Sequence, residues 1–212
     1  MTGAGPVARA AELAALGHRP SLSPADVARL EDARASDPDA RVRAAALAAL
    51  VRAGSPGARA AWDRGVLDAA PAVRRRAAEL APSLAAPAPV DALLALLGDD
   101  DVTVVEAAAW AVGELGAPAL ARGAVAALGD TVSNHRDALA REAAVAALGA
   151  LGDPSALPVI LAACTDKPAV RRRAVLALAP FDGPEVDAAI TAALEDRDWQ
   201  VRQAAEDLRG EE

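Results

Sequence analysis

The chain has 212 residues and a formal net charge of -8, and 53% of it is hydrophobic although aromatic residues make up only 2%. This length allows a buried core without a metal or a disulfide, and Cys164, the only cysteine, excludes an intramolecular disulfide and favours the cytoplasm. The acidic balance argues against non-specific binding to nucleic acid or to anionic membranes. We expect neither a signal peptide nor a membrane span, because the apolar runs are too short.

Two helical stretches, Val7 to Leu16 and Ser23 to Arg34, are predicted at the start of the chain. They fit the register of the following residues poorly. Residues 1–35 are therefore predicted to form an atypical N-terminal helical cap.

An internal repeat of about 31 residues follows, and the heptapeptide PAVRRRA, which starts at Pro71 and again at Pro168, belongs to it. The residue before the first arginine of this motif, here called the anchor, recurs at Val42, Val73, Val104, Ala140, Val170 and Val201. Four residues past every anchor stands an alanine, at Ala46, Ala77, Ala108, Ala144, Ala174 and Ala205. One residue past it stands an arginine, except at Val105.

Each repeat is predicted to contain two helices, because apolar residues recur with a 3.6-residue period and glycine–proline breakers separate the two halves. One pair cannot bury both of its apolar stripes, so consecutive pairs must stack as an all-α α-solenoid of about five to six two-helix repeats. The predicted array spans residues 36–212, with repeats at 36–68, 69–99, 100–130, 139–166 and 167–196, a loop insertion at 131–138, and a half-repeat cap at 197–212.

These columns resemble the short HEAT repeat of the phycobilisome-lyase type. Arg141 to Leu161 and Glu195 to Leu208 match its consensus best, and the resemblance covers about residues 37–208. It implies a right-handed superhelix. It leaves the function open, because such repeats occur in scaffolds, adaptors and bilin lyases.

The resemblance also implies a ladder of aspartate and arginine side chains between repeats. The aspartate precedes the arginine by six residues in Asp37 and Arg43, Asp68 and Arg74, and Asp196 and Arg202, and by five in Asp166 and Arg171. Val105 interrupts this ladder in the third repeat, and in the fourth His135 stands six residues before Arg141.

No pattern predicts catalysis, a cofactor or a metal site. The two histidines, His18 and His135, lie far apart with no cysteine or carboxylate at ligand spacing, and the His-Glu pairs of di-iron hydroxylases built on HEAT repeats are missing. The arginine pairs Arg75/Arg76 and Arg172/Arg173 are either solvated or an anion site, and the sequence leaves that choice open.

In this architecture the second helices line the concave side, and their non-core positions predict a smooth, largely apolar groove. Candidate partner-binding residues are Arg64, Asp91, Leu96, Trp110, Arg122, His135 and Val159. Trp62 and Cys164 occupy core columns, whereas Trp199 is predicted to pack at a helix start.

The sequence thus predicts a non-catalytic scaffold or adaptor with a protein or peptide partner of unspecified identity. The chain is expected to be a cytoplasmic monomer that binds neither nucleic acid nor membrane. Two alternatives stay open: a bilin or tetrapyrrole lyase or lyase subunit, and a nucleic-acid-binding protein that uses the arginine pairs.

Overall fold

The computed structural model describes residues 5–210, and all regular secondary structure in that range is helical. Its fourteen α-helices are α1 (Pro6–Leu16), α2 (Pro24–Ser36), α3 (Ala40–Arg52), α4 (Ala58–Gly65), α5 (Pro71–Leu80), α6 (Val90–Leu96), α7 (Val102–Leu115), α8 (Ala117–Leu120), α9 (Ala124–Asn134), α10 (Ala138–Leu151), α11 (Leu157–Ala163), α12 (Pro168–Ala177), α13 (Pro184–Ala193) and α14 (Trp199–Gly210). Short 3-10 turns at Ala81–Ser83 and Pro154–Ala156 connect neighbouring helices.

Local chemistry fixes the helix boundaries. Asp39, Asp101 and Asp137 cap helices by accepting a backbone N–H two residues on, each at 2.9 Å. Proline occupies the first turn of several helices, as in α5 and α12, where its missing N–H costs nothing. Gly152 ends α10 in the left-handed conformation (φ 60°), which glycine adopts without steric strain.

The chain divides into two compact units, Met1–Ala92 and Leu93–Glu212, and residues 1–4 and 211–212 lie outside the described range. In the first unit α1, α2, α4 and α5 all pack on α3. In the second unit the first helices of successive repeats pack in series, α7 on α10, α10 on α12 and α12 on α14, while α9 packs on α10 and α11. Contacts between consecutive helix pairs are those of an α-solenoid, as predicted.

Small residues allow this close stacking. The alanines four residues past each anchor, Ala46, Ala77, Ala108, Ala144, Ala174 and Ala205, are all 0% exposed. A Cβ added to Gly149 would lie 2.7 Å from the Cβ of Ala177 on the next first helix. At Gly17 it would lie 2.7 Å from the Cα of Ala49. Backbones therefore approach so closely at these crossings that even a methyl group does not fit.

Arginine and aspartate side chains also join consecutive repeats. Arg141 donates from Nε and Nη2 to both carboxylate oxygens of Asp166, 25 residues further along, at 2.7 Å each. Its Nη1 donates to the backbone carbonyl of His135, six residues before it, at 2.9 Å. Paired in the same way are Arg43 with Asp68 and Arg171 with Asp196. The carboxylate partner of each of these three arginines is thus the aspartate of the following repeat.

The aspartate of an arginine's own repeat contributes its backbone carbonyl instead. Asp37 accepts from Arg43 Nη1 at 3.0 Å in this way. So do Asp68 from Arg74, Asp166 from Arg171 and Asp196 from Arg202, at 2.9, 2.8 and 2.8 Å. The side chain of Asp37 meanwhile accepts from Arg9 of α1, with both contacts at 3.1 Å. The N-terminal helix pair therefore makes the same kind of link to the array as the repeats make to one another.

The segment 131–138 is not a loop. Its first four residues complete α9, and only residues 135–137 separate that helix from α10. Helix continues here because Thr131 and Val132, each 6% exposed, extend the buried stripe that includes Leu128. The hydroxyl of Ser133 in addition donates to the carbonyl of Gly129 at 2.8 Å.

Candidate functional site

An open groove of about 610 Å³ lies along α9 and α11 in the second compact unit. Gly123, Ala126 and Gly129 recur every third residue, so they share one face of α9, and their small size leaves the space. Val125 and Val159, both half-buried, supply apolar side chains. The groove is therefore lined mainly by small and apolar groups.

Three polar residues form the rim of this groove. Asp153 and Ser155 lie before α11, where the aspartate accepts the backbone N–H of Ser155 at 2.9 Å and caps the turn. Ser133 lies near the end of α9. Hydroxyl oxygens keep acceptor capacity when their hydrogen is in use, so this rim can still bind a peptide N–H.

The predicted partner-binding residues are not gathered in one place. Val159 lies in the α9–α11 groove, and the exposed Arg122 directly precedes its Gly123. Arg64 and Asp91 are exposed on the first compact unit. Leu96 is only 7% exposed, so its side chain belongs to the core and is removed from the candidate surface.

The three tryptophans differ in burial. Trp62 is 1% exposed and donates from Nε1 to the carbonyl of Ala77 at 2.6 Å, so its predicted core position is confirmed. Trp110, one of the candidate partner-binding residues, is 47% exposed on α7. Trp199 is 65% exposed, and the prediction that it packs at a helix start is wrong because its ring lies on the surface of α14.

His135 replaces the aspartate of the ladder without breaking the turn. Its Nδ1 accepts the backbone N–H of Asp137 at 3.1 Å, which requires the tautomer with the proton on Nε2. Asp37 makes the equivalent bond to the N–H of Asp39 at 2.9 Å. One repeat earlier, Val105 occupies the position at which the other repeats have the ladder arginine, and its side chain is 0% exposed. No guanidinium is therefore present there that would need a carboxylate at position 135. Both ends of one ladder pair are thus changed together.

Beside His135 lies a polar pocket of about 450 Å³, whose walls include Asp99, Asp100 and Asp137. The described residues contain no group of three or more histidines, cysteines, aspartates or glutamates that could hold a metal ion.

The ladder carboxylates have lowered pKa values. The Arg141 guanidinium holds the pKa of the Asp166 carboxyl below its usual value by donating hydrogen bonds to it. Arg43 and Arg171 lower the pKa of Asp68 and Asp196 in the same way. Such shifts stabilise the folded chain and require no catalytic role.

The arginine pairs have unequal surroundings. Arg75 and Arg76 both approach Glu79, at 3.7 and 2.7 Å. Arg173 lies 3.6 Å from Glu142, and the buried Nε of Arg173 has no hydrogen-bond partner. The half-buried Arg172 has neither a hydrogen bond nor an ion pair with any described residue.

Cys164 is a partly buried free thiol. Burial raises its pKa to about 11, so the thiolate that reacts with electrophiles and metals is scarce at neutral pH. Among the described residues no helix combines the length and the apolar character needed to cross a membrane.

Comparison with known proteins agrees with the helix-pair architecture. The family model for HEAT repeats matches residues 65–133 and 125–209, which together cover more than half of the chain. No curated protein sequence matches it. Among solved structures, YibA of Escherichia coli superposes with a TM-score of 0.64 at 16% identity, over 97% of this chain and 74% of YibA.

Two further structures are similar. An engineered protein has a TM-score of 0.56 at 19% identity, over 94% of this chain and 97% of its own. Human deoxyhypusine hydroxylase has a TM-score of 0.47 at 22% identity, over 99% of this chain and 82% of its own, and a likeness so distant carries no functional argument. At these identities the structural matches show the fold alone, and the family model supplies the assignment. The chain belongs to the HEAT-repeat family.

Proposed function

We propose that this protein is a non-catalytic scaffold that binds a peptide or helical segment of a partner protein in the α9–α11 groove. The observation that carries the proposal is the groove itself: about 610 Å³, open to solvent and lined by small and apolar residues. Exposed apolar grooves are the usual docking sites for helices and extended peptides.

The shape of the groove suits a backbone more than a compact ligand. Gly123, Ala126 and Gly129 let a peptide approach α9 closely, because no long side chain projects from that face. Val125 and Val159 offer apolar contact to every second or third side chain of the bound segment. Ser133 and Ser155 supply the hydrogen-bonding groups that orient it.

A cytosolic location is part of the proposal. Cys164 is the only cysteine, and its thiol is half-buried and weakly acidic. A lone thiol with no disulfide role suits a reducing compartment.

Site-specific cross-linking tests the groove. A photoreactive amino acid at Ala126, an exposed position on α9, is expected to cross-link one protein from a native-host lysate, whereas the same group at Ala15, exposed on α1, is not. Ala126→Glu and Val159→Glu are then expected to weaken binding of the identified protein at least tenfold, since an unpaired carboxylate would be buried against apolar groups. Ala15→Glu is the matched control.

Equal binding of that protein by Ala126→Glu and the unchanged chain would refute the proposal. Circular dichroism of each variant shows whether a loss of binding reflects unfolding instead.

A further inference from the structure

A second exposed surface lies on the first helices of the second compact unit, outside the α9–α11 groove. A groove of about 440 Å³ runs between α10 and α12, and a smaller one of about 120 Å³ lies between α12 and α14. Leu176 lines both, so the two form one continuous surface, here called the α10–α14 surface.

The wider part of the α10–α14 surface is apolar. Ala146, Gly149 and Ala150 of α10 face Leu176 and Pro180 across it. Gly149 is required by the close crossing with Ala177, so the absence of a side chain there has a structural cause. That crossing leaves a shallow trough beside Leu176 that can receive an apolar side chain.

The narrower part holds the groups that select a partner. Trp199 is 65% exposed, in a chain with only three tryptophans. Beside it Arg172 is half-buried and makes no hydrogen bond or ion pair with any described residue. Tryptophan and arginine are among the residue types that are enriched at the energetically dominant positions of protein–protein interfaces.

The guanidinium of Arg172 is the group on this surface that favours an acidic partner. Asp207, the one carboxylate among the residues that line the narrower part, accepts a hydrogen bond from Gln203 at 2.8 Å. Asp198, which precedes Trp199 in the chain, accepts the backbone N–H of Gln200 at 2.9 Å. Glu142 lies 3.6 Å from Arg173, longer than an ordinary charge-assisted hydrogen bond. Arg172 forms no ion pair with any described residue, and a carboxylate from a partner would supply both the charge and two hydrogen bonds.

We infer that the α10–α14 surface is a second binding site, which takes a segment of a partner protein carrying a carboxylate next to an apolar side chain. The carboxylate binds Arg172, the apolar side chain enters the trough at Leu176, and Trp199 covers the junction between them. This site is independent of the α9–α11 groove, so either can exist without the other.

A displayed library of random dodecapeptides tests the inference with a defined probe. Peptides selected on the full chain, after depletion on the Arg172→Glu variant, are expected to be enriched in Asp or Glu beside leucine or an aromatic residue. Their affinity is expected to fall at least tenfold in Arg172→Ala, because both hydrogen bonds to the carboxylate are lost and one charge-assisted hydrogen bond alone corresponds to roughly tenfold. Trp199→Ala is expected to weaken them similarly.

Matched controls separate this site from the rest of the molecule. Arg52→Ala removes another exposed arginine, and Trp110→Ala removes the other exposed tryptophan; both are expected to leave the affinity unchanged. Ala126→Glu, which blocks the α9–α11 groove, is also expected to have no effect. Urea unfolding of each variant verifies that the fold is intact.

Two results would overturn the inference. One is a set of selected peptides without acidic enrichment, or with an affinity that does not depend on Arg172 and Trp199. The other is concentration-dependent dimerisation of the full chain that Trp199→Ala abolishes, since the occupant would then be a second copy.

Discussion

In the turns between repeats, the hydrogen bonds that a side chain makes with the backbone matter as much as its charge. Asp37 and His135 are chemically unlike, yet each accepts the N–H of the residue two positions on, one through a carboxylate oxygen and the other through Nδ1. Each also offers its backbone carbonyl to the arginine six residues later. Histidine therefore preserves the turn. It cannot replace the aspartate carboxylate in the ion pair with an arginine of the preceding repeat.

Restoring both ends of the missing pair tests that view. His135→Asp supplies the carboxylate and Val105→Arg the guanidinium, and each alone is expected to destabilise the chain because a charge is left without its partner. Together they are expected to couple favourably by roughly 1 kcal/mol in a double-mutant cycle measured by urea unfolding. Additive effects of the two changes would show that position 105 does not face position 135.

Sequence periodicity was sufficient to predict which residues face a neighbouring repeat. The alanine column is uniform because any larger group would overpack the crossing, and so it is visible without coordinates. The hydrogen bonds from Arg9 to Asp37 were not predicted, because Glu12 occupies the position at which the other repeats have alanine. Leu13 and Leu16 of the same helix are nevertheless buried, as the corresponding apolar residues of the repeats are. The α9–α11 groove was only partly predictable, since it depends on space left by small residues of one helix beside another.

At the scale of elements, the glycines within α9 and α10 have different structural roles. A Cβ on Gly149 of α10 would lie 2.8 Å from the Cα of Ala177, whereas on Gly129 of α9 its nearest neighbour would be a Val159 methyl at 3.9 Å. The first glycine is imposed by packing between helices. The second costs helix stability and leaves the groove open.

Alanine substitution distinguishes these two cases. Gly149→Ala is expected to lower the free energy of unfolding by about 1 to 3 kcal/mol, because the overlap with backbone atoms outweighs the better helix propensity. Gly129→Ala, its matched control, is expected to raise it by up to about 1 kcal/mol. Urea or thermal unfolding measures both, and stabilisation by Gly149→Ala would contradict the close crossing.

At the scale of the whole molecule, the ladder makes stability depend on pH. The carboxyls of Asp68, Asp166 and Asp196 have lowered pKa values in the folded chain because arginines donate hydrogen bonds to them. A group with a lowered folded pKa contributes stability above its unfolded pKa, about 4 for aspartate, and loses it as the pH falls through the folded pKa. Acid should therefore weaken all three links over the same interval.

The expected result is a urea midpoint that is nearly constant from pH 7 to about pH 5 and falls progressively below about pH 4. In Asp166→Asn the midpoint is expected to be lower at pH 7 and to fall less on acidification, because one of the titrating links is already lost. Asp63→Asn, which removes an exposed pair with Arg59, is the control and is expected to resemble the unchanged chain. A midpoint insensitive to pH between 5 and 2.5 would refute the contribution of the ladder.

The span of each ladder pair has a consequence for how such a chain can change in length. Because an arginine finds its carboxylate 25 residues ahead and its backbone acceptor a few residues behind, both partners lie within about one period of the motif. Duplication or loss of one full period would leave every ladder arginine with an equivalent carboxylate and an equivalent backbone acceptor. A deletion of half a period would leave one of these arginines without its carboxylate. The five additional residues before His135 lie at the one junction where valine stands in place of the arginine, so no ladder arginine has to reach a carboxylate across the longer segment.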